Sequence, residues 1–144
     1  MAVVEGEKDA DRLTELGIVA TTCPGGAGKW RREYSEALRG QVVVIIIDND
    51  EPGREHAQQV ARSLHGVAKT VKVLELPDLP PKGDVSDWLD VGGSVKELKQ
   101  LARVAPEWEP GRRRWPNAPK LRRQARPWSS RPTPSTRWRR ATAT

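Results

Sequence analysis

The sequence predicts an α/β protein with a mostly parallel sheet of about four strands flanked by helices. Two features of the printed sequence support this fold class. Short apolar runs alternate with segments of helical periodicity along most of the chain, an order that is typical of layered α/β sheets. Residues 42–47 are six consecutive Val and Ile residues, and such an unbroken run is typical of a central strand covered on both faces.

The elements follow one another in a regular order, and a glycine follows three of the helices as a stop signal. We predict strands at residues 18–22, 41–47 and 70–76, and helices at residues 8–16, 31–38, 54–65 and from 94 onward, with a short segment at 84–89 before the last helix. The first strand is short, Val3 and Val4 with Ala2 before them, and we interpret it as truncated at its N-terminal end. Ser94 with Glu97 three residues later predicts a capping box for the last helix.

The composition changes near residue 106, where we place a domain boundary. Residues 1–105 contain the predicted sheet and helices, whereas residues 106–144 are rich in Arg, Pro and Trp, lack a hydrophobic period and are predicted to be disordered. A chain of 144 residues suffices for one domain with its own core. All 19 Asp and Glu residues precede residue 110, so the formal net charge of +6 combines an acidic domain with a basic tail.

The tail interleaves its arginines with tryptophans, at Trp108, Trp115, Trp128 and Trp138. Arginine attracts phosphate groups and indole rings stack on bases, so the tail is a candidate for binding single nucleic-acid strands. A solvated extension without a binding role explains the same composition equally well.

Cysteine usage and hydropathy exclude several classes of protein. Cys23 is the only cysteine, which excludes an internal disulfide and a cysteine-rich zinc site. The longest apolar run has six residues, whereas a membrane helix needs about 20. No signal segment precedes Glu5. We therefore expect a soluble cytoplasmic protein that does not associate with a membrane.

Carboxylates follow two of the predicted strands directly: Glu5 follows the first, and Asp48 and Asp50 follow the buried one. Ligands bind beyond the carboxyl ends of the strands in sheets of this kind. If the two strands are neighbours, the three carboxylates share one edge. Two like charges about 4 Å apart repel by roughly 4 kcal/mol at an effective dielectric near 20, and a hard divalent cation offsets that repulsion. Mg²⁺ or Mn²⁺ held by the aspartates, with Glu5 moving a proton, fits this pattern.

Turn chemistry explains part of the same pattern without a metal. In the stretch DNDEPG at residues 48–53, Asp and Asn side chains would bond their own backbone, and Gly53 would supply a permissive φ. From these residues alone, both interpretations remain open.

Four motifs in sequence order resemble those of a known family. They are VVEGEKDA at 3–10, PGGAG at 24–28, IIIDNDEPGR at 45–54 and KGDVSDWL at 82–89. Together they resemble the Toprim domain of primases, topoisomerases and some nucleases, and most closely that of primases from phages and other mobile elements. The resemblance covers residues 2–91. It implies that Glu5 is catalytic, that Asp48 and Asp50 bind metal, and that Asp84 is a further acidic position at the same edge, with Asp87 as a weaker candidate.

The resemblance also implies an activity: metal-dependent nucleotidyl transfer in primer synthesis for DNA replication, with single-stranded DNA and nucleotides as partners. The primases concerned carry a zinc-binding module and a basic subdomain before this segment, and often a helicase after it. We therefore expect a fragment, or one part of a larger primase that needs those domains or a helicase partner. A small Toprim nuclease and a non-catalytic nucleic-acid-binding remnant are the alternatives.

Several residues are weaker candidates for contacts to phosphate. Gly25, Gly26 and Lys29 lie in the loop CPGGAGK, which is not a Walker loop because residues 23 and 30 are Cys and Trp. Its glycines either let backbone N–H groups approach a phosphate or only form a tight turn. Arg54 and Lys8 could each contact phosphate or a neighbouring acid. The two histidines, His56 and His65, do not share a helical face, and we expect them at the surface.

Overall fold

A four-stranded parallel sheet lies at the centre of the computed structural model, which describes residues 1–111. The strands are β1 (Ala2–Val4), β2 (Ala20–Thr22), β3 (Val42–Ile47) and β4 (Thr70–Glu75), and their order across the sheet is β2-β1-β3-β4. All three neighbouring pairs are parallel. The predicted fold class is therefore confirmed. The predictions for residues 112–144 lie outside the described residues.

Five helices cover the two faces of the sheet: α1 (Glu7–Glu15), α2 (Arg32–Ala37), α3 (Glu51–Leu64), α4 (Val85–Asp90) and α5 (Val95–Val104). Residues of α3 form one core with one face of β3 and β4, and residues of α1, α4 and α5 form a second core on the opposite face. Within residues 1–111, no helix combines the length and the apolar character that crossing a membrane requires.

The central position predicted for the apolar strand is confirmed, because β3 pairs with β1 on one side and with β4 on the other. Val43, Ile45 and Ile47 face the core that contains α3, and Ile46 faces the other core. The four strands run in the same direction, so the segments that follow them meet at one side of the sheet. We call this side the carboxyl edge.

Helix α3 begins at Glu51, three residues before the predicted start at Arg54. The side chain of Asp50 caps this helix, because its Oδ1 accepts a hydrogen bond from the N–H of Gly53 at 2.7 Å. Pro52 in the first turn is compatible with this start, since proline is tolerated where the helix leaves backbone N–H groups unpaired. The acidic turn after β3 is therefore joined directly to a long, well-packed helix.

Residues 106–108, predicted to belong to the tail, lie against β4. The N–H of Trp108 donates to the carbonyl of Val71 at 2.8 Å, and Glu107 forms an isolated antiparallel bridge with Lys72. The Trp108 side chain is 8% exposed, and its Nε1 donates to Oε1 of Gln58 at 3.1 Å. Trp108 is therefore a core residue that covers an open sheet edge, and it does not belong with the tryptophans proposed to stack on bases.

We predict that Trp108→Ala lowers the free energy of unfolding by about 3–5 kcal/mol, because it removes a buried aromatic side chain. Urea denaturation followed by circular dichroism measures this change. Val19→Ala is the control, since Val19 is 66% exposed and its truncation should change stability by less than about 0.5 kcal/mol. Equal stabilities for the two variants would show that residue 108 does not pack against the sheet.

Candidate functional site

Glu5 and Asp48 lie side by side because their strands are neighbours. In the β1–β3 pair, Val3 is opposite Ile45, and one carboxylate follows each strand directly beyond its end. The backbone of Glu5 is also held from the other side, since Oγ1 of Thr22 donates to its carbonyl at 2.8 Å. The two strands are therefore neighbours, as the predicted shared acidic edge requires.

The Glu5 and Asp48 carboxyl groups contact each other closely enough to share a proton. Burial, followed by the charge of Glu5, raises the pKa of Asp48 to about 8. Burial also raises the pKa of Glu5, although its hydrogen bond with Asp48 acts in the opposite direction. Asp48 is therefore the group that holds the proton near neutral pH, and it donates to the Glu5 carboxylate. Among the described residues, Oε2 of Glu5 is buried without a hydrogen-bond partner.

Asp50 lies near this pair, and its charge contributes to the raised pKa of Glu5. Its Oδ1 caps α3, as the interpretation from turn chemistry expected. The role expected for Gly53 was wrong: its φ is not positive. A Cβ atom at this position would lie 2.9 Å from both the carbonyl oxygen of Asp48 and Oδ1 of Asp50. Glycine is needed here for space, and it lets the helix start against the acidic turn.

Asn49 connects the acidic turn to the loop before α4, a role that the sequence analysis did not assign. Its Nδ2 donates to the carbonyls of Leu79 at 2.9 Å and Pro80 at 3.0 Å, and its N–H donates to the carbonyl of Gly83 at 2.9 Å. These bonds hold the loop at the carboxyl edge. They place Asp84, the next residue, close enough to raise the pKa of Asp48.

Asp84 is engaged through both of its carboxylate oxygens. Oδ1 accepts from the N–H of Asp87 at 2.8 Å and caps α4, and Oδ2 accepts from Nζ of Lys8 at 3.2 Å. Asp87 returns the capping bond, since its Oδ2 accepts from the N–H of Asp84 at 3.0 Å. Two residues that the sequence assigned to a metal and to phosphate, Asp84 and Lys8, therefore pair with each other.

Arg54 pairs with neighbouring polar side chains, one of the two roles that the sequence left open. Its Nη2 donates to Oδ1 of Asn49 at 2.7 Å and to Oε1 of Glu75 at 3.2 Å. Glu75 is the last residue of β4. This ion pair therefore ties the start of α3 to the end of the neighbouring strand, and a phosphate contact by Arg54 stays a prediction.

Asp9 is a further acid of this region that the sequence analysis did not identify. It is 3% exposed and accepts a hydrogen bond from Oγ of Ser86 through Oδ1. Burial raises its pKa, and the charge of Asp84 adds to the effect. Its spacing could have revealed it, because Asp9 and Leu13 are four residues apart and share the buried face of α1.

His56 was expected at the surface, and this expectation was wrong. The side chain is 5% exposed, and its Nδ1 accepts a hydrogen bond from the N–H of Gly28 at 3.1 Å. Burial lowers the pKa of the imidazole. The packing of α3 against the sheet turns this residue inward, and the imidazole anchors the glycine loop. His56 and Glu5 also line a small cavity of about 10 Å³ beneath the edge.

The predicted metal ligands are near one another but do not form a closed cage. Within residues 1–111, no three His, Cys, Asp or Glu side chains are placed so that together they could hold one metal ion. Glu5 and Asp48 are in contact, whereas Asp50 and Asp84 each use an oxygen to cap a helix. The metal-binding roles of Asp48, Asp50 and Asp84 and the catalytic role of Glu5 stay predictions.

Comparisons with known proteins give one relative and one similar structure. No family model matches the chain. Over 79 residues the sequence is 35% identical to the gene 57 protein of Mycobacterium phage D29, covering 54% of this chain and 49% of the phage protein.

The structure is similar to the crystal structure of the Aquifex aeolicus primase, which comprises zinc-binding and RNA polymerase domains. The TM-score is 0.60 and the sequence identity is 26%, and the match covers 74% of this chain and 26% of that chain. The fold is therefore related to that of a bacterial primase. The chain spans about half the length of the phage protein and about a quarter of the primase chain.

We predict that Asp48→Asn stabilises the protein at alkaline pH when divalent ions are absent. The folded-state pKa of Asp48 is raised from 3.8 to about 8, so the folded state binds more protons than the unfolded state between these values. Stability due to this group is present at acid pH and is lost as the pH rises towards 8. The amide that replaces the carboxyl group in this variant lacks the charge and can still donate to Glu5.

Melting temperatures in EDTA at pH 4.5 and pH 8.5 measure the effect. With allowance for solvent screening of a partly exposed group, we expect a gain of about 4–8 °C at pH 8.5, equivalent to about 1 kcal/mol, and little gain at pH 4.5. Asp11→Asn is the control, because Asp11 is exposed on α1. A gain that is equal at the two pH values would contradict the shared proton.

Proposed function

We propose that this chain is a Toprim-type domain that carries out metal-dependent nucleotidyl transfer in primer synthesis, as one part of a larger primase. One observation carries the proposal: neighbouring parallel strands bring Glu5 and Asp48 into contact at the carboxyl edge, on a fold related to that of a bacterial primase. The motif order of the sequence supports the Toprim assignment, since all four motifs lie in segments that border this edge.

The residues at this edge fit a hard divalent cation. The pKa of Asp48, raised to about 8, shows that a second negative charge beside Glu5 is unfavourable without a cation. Oε2 of Glu5 has no partner among residues 1–111, and an unpaired buried oxygen is a typical sign of an ion or water. Mg²⁺ needs only one or two protein carboxylates, because waters and substrate phosphates complete its shell. Asp48 and Asp50 would hold the ion, and Mn²⁺ suits the same oxygen donors.

A bound ion of this kind would neutralise charge on the nucleotide phosphates and favour loss of a hydroxyl proton. The chain's own residues would do the rest. In primer synthesis, a 3′-hydroxyl attacks the α-phosphate of a nucleotide, a new phosphodiester bond forms and pyrophosphate leaves. Glu5 accepts the proton of the attacking hydroxyl in this proposal, because burial raises the pKa of its carboxyl group and makes it a stronger base than an exposed carboxylate.

The partners in this proposal are nucleotides and single-stranded DNA. Other segments of the complete primase, or a helicase, would supply the remaining contacts to the template. The match to only 26% of the Aquifex aeolicus primase chain supports this division of labour. The interactions at the edge also support this division of labour. Asp84, Lys8 and Arg54 form ion pairs within the domain, so they shape the site, and other segments are left to contact the template.

The test is a primer-synthesis assay with the full chain, Mn²⁺, radiolabelled ribonucleotides and a single-stranded DNA template. We expect short labelled RNA products in low yield, because other segments of the primase supply the remaining template contacts. We expect Glu5→Gln to reduce this yield by about 10²–10⁴-fold, because general-base catalysis typically contributes this much. Asp11→Asn should match the wild-type chain. Shortened template instead of RNA would indicate a nuclease, and an unchanged yield for Glu5→Gln would contradict the site assignment.

A further inference from the structure

The loop between β2 and α2 lines an open groove of about 340 Å³. The loop begins directly after Thr22, the residue whose hydroxyl group holds the backbone of Glu5. The groove therefore opens from the same carboxyl edge as the acidic pair. Its lining residues are Pro24, Gly25, Gly28, Lys29, Trp30 and Arg31.

Two cations of this groove have no acidic partner among residues 1–111. Lys29 and Arg31 are exposed, and no described carboxylate lies within the 4.0 Å of an ion pair from either. Five other basic side chains of the described residues form ion pairs, among them Lys8 with Asp84 and Arg12 with Asp90. All 19 acidic residues lie within this part of the chain. What distinguishes Lys29 and Arg31 is that they line one groove together, an arrangement that suits an anionic ligand.

The two cations of the groove lie on either side of a buried residue. Trp30 is 7% exposed, and its Nε1 donates to Oγ of Ser35 at 2.8 Å. Arg31 is extended, with φ −116° and ψ 155°. Lys29 and Arg31 flank the buried Trp30 in sequence, and both of their side chains line the groove.

The glycines and His56 hold the loop in this form. Gly25 has a φ of +90°, and a Cβ at this position would lie 3.3 Å from Cγ of Lys29. A larger residue would therefore strain the backbone and crowd the cation. The bond from the Gly28 N–H to Nδ1 of His56 fastens the loop to α3. The groove is thus positioned by the same helix that Asp50 caps.

We propose that this groove binds the phosphate backbone of a single nucleic-acid strand and leads that strand to the acidic edge. The groove exposes two cationic side chains and backbone groups, whereas its one aromatic residue, Trp30, is buried. The groove therefore contacts the phosphates of the strand and does not recognise its bases. The identity of the anion as a nucleic acid rests on the proposed function. Arg31 is the residue that sequence analysis missed, whereas Lys29, Gly25 and Gly26 were candidates.

The test measures binding of a fluorescein-labelled thymidine 20-mer to the full chain in EDTA, by anisotropy over a range of salt concentrations. Lys29→Ala with Arg31→Ala is compared with Lys96→Ala with Lys99→Ala, which removes the same charge from exposed positions on α5. We expect the groove variant to bind about 10-fold more weakly. In a plot of log binding constant against log salt concentration, the slope for this variant should be smaller in magnitude by about 1.4. Each single-strand phosphate contact contributes about 0.7 to that slope, and the variant lacks two such contacts. The α5 variant should differ less than about 2-fold from the wild type.

A second measurement localises the contact and does not depend on the variants. Hydrogen exchange at residues 25–31 of the wild-type chain should slow when the oligonucleotide is added. Equal weakening by the two double variants, or no slowing in this loop, overturns the proposal. Slowing by inorganic tripolyphosphate and not by the oligonucleotide also overturns it, because it would identify a nucleotide site.

The metal-free buffer separates this inference from the proposed function. In a variant with Asp48→Asn and Asp50→Asn, the oligonucleotide should slow hydrogen exchange in the loop as much as it does in the wild type in EDTA. Neither side chain lines the groove. Normal protection together with a failed primer-synthesis assay would contradict only the proposed function. If the oligonucleotide did not slow exchange in that variant, the proposal that the groove binds through its own cations would be contradicted.

Discussion

The contact between Glu5 and Asp48 is the constraint on which the rest of this structure depends. Parallel pairing of β1 with β3 brings two half-buried carboxyl groups together, and the surrounding residues accommodate that arrangement. Asp50 caps α3, Gly53 leaves room for the turn, and Asn49 holds the next loop against it. The domain loses stability at this edge as the pH rises towards 8, as functional sites commonly do.

Much of this arrangement could be predicted because it follows from local patterns. The unbroken apolar run of β3 indicated a central strand, and the direction of parallel strands then placed the residues after β1 and β3 at one edge. The acidic turn at residues 48–53 supported two interpretations, a metal site and a turn held by its own side chains. In the structure, Asp50 caps α3 and also lies near Glu5. The resemblance to the Toprim domain also implied that Asp84 would approach the same edge, and its charge does act on Asp48.

The features that sequence analysis missed all depend on contacts between distant parts of the chain. The bond from Ser86 to Asp9 joins residues 77 positions apart, and the bond from Gly28 to His56 joins residues 28 positions apart. Trp108 looked like part of a basic tail because an Arg- and Pro-rich stretch follows it from residue 110 onward, yet its backbone pairs with β4. Periodicity describes one element at a time, so it cannot show which polar groups the packed elements bring together. The same limit hid Arg31, whose position beside Lys29 in the groove is a property of the folded loop.

The most direct test of the central claim is calorimetric titration of the protein with Mn²⁺ at pH 7, in two buffers that differ in ionisation enthalpy. Because Asp48 holds the shared proton with a pKa of about 8, binding of the ion at the Glu5–Asp48 pair should release about one proton. The Asp48→Asn variant should release none and should bind more weakly. Absence of Mn²⁺ uptake by the wild type, or equal proton release by the two proteins, would contradict the account.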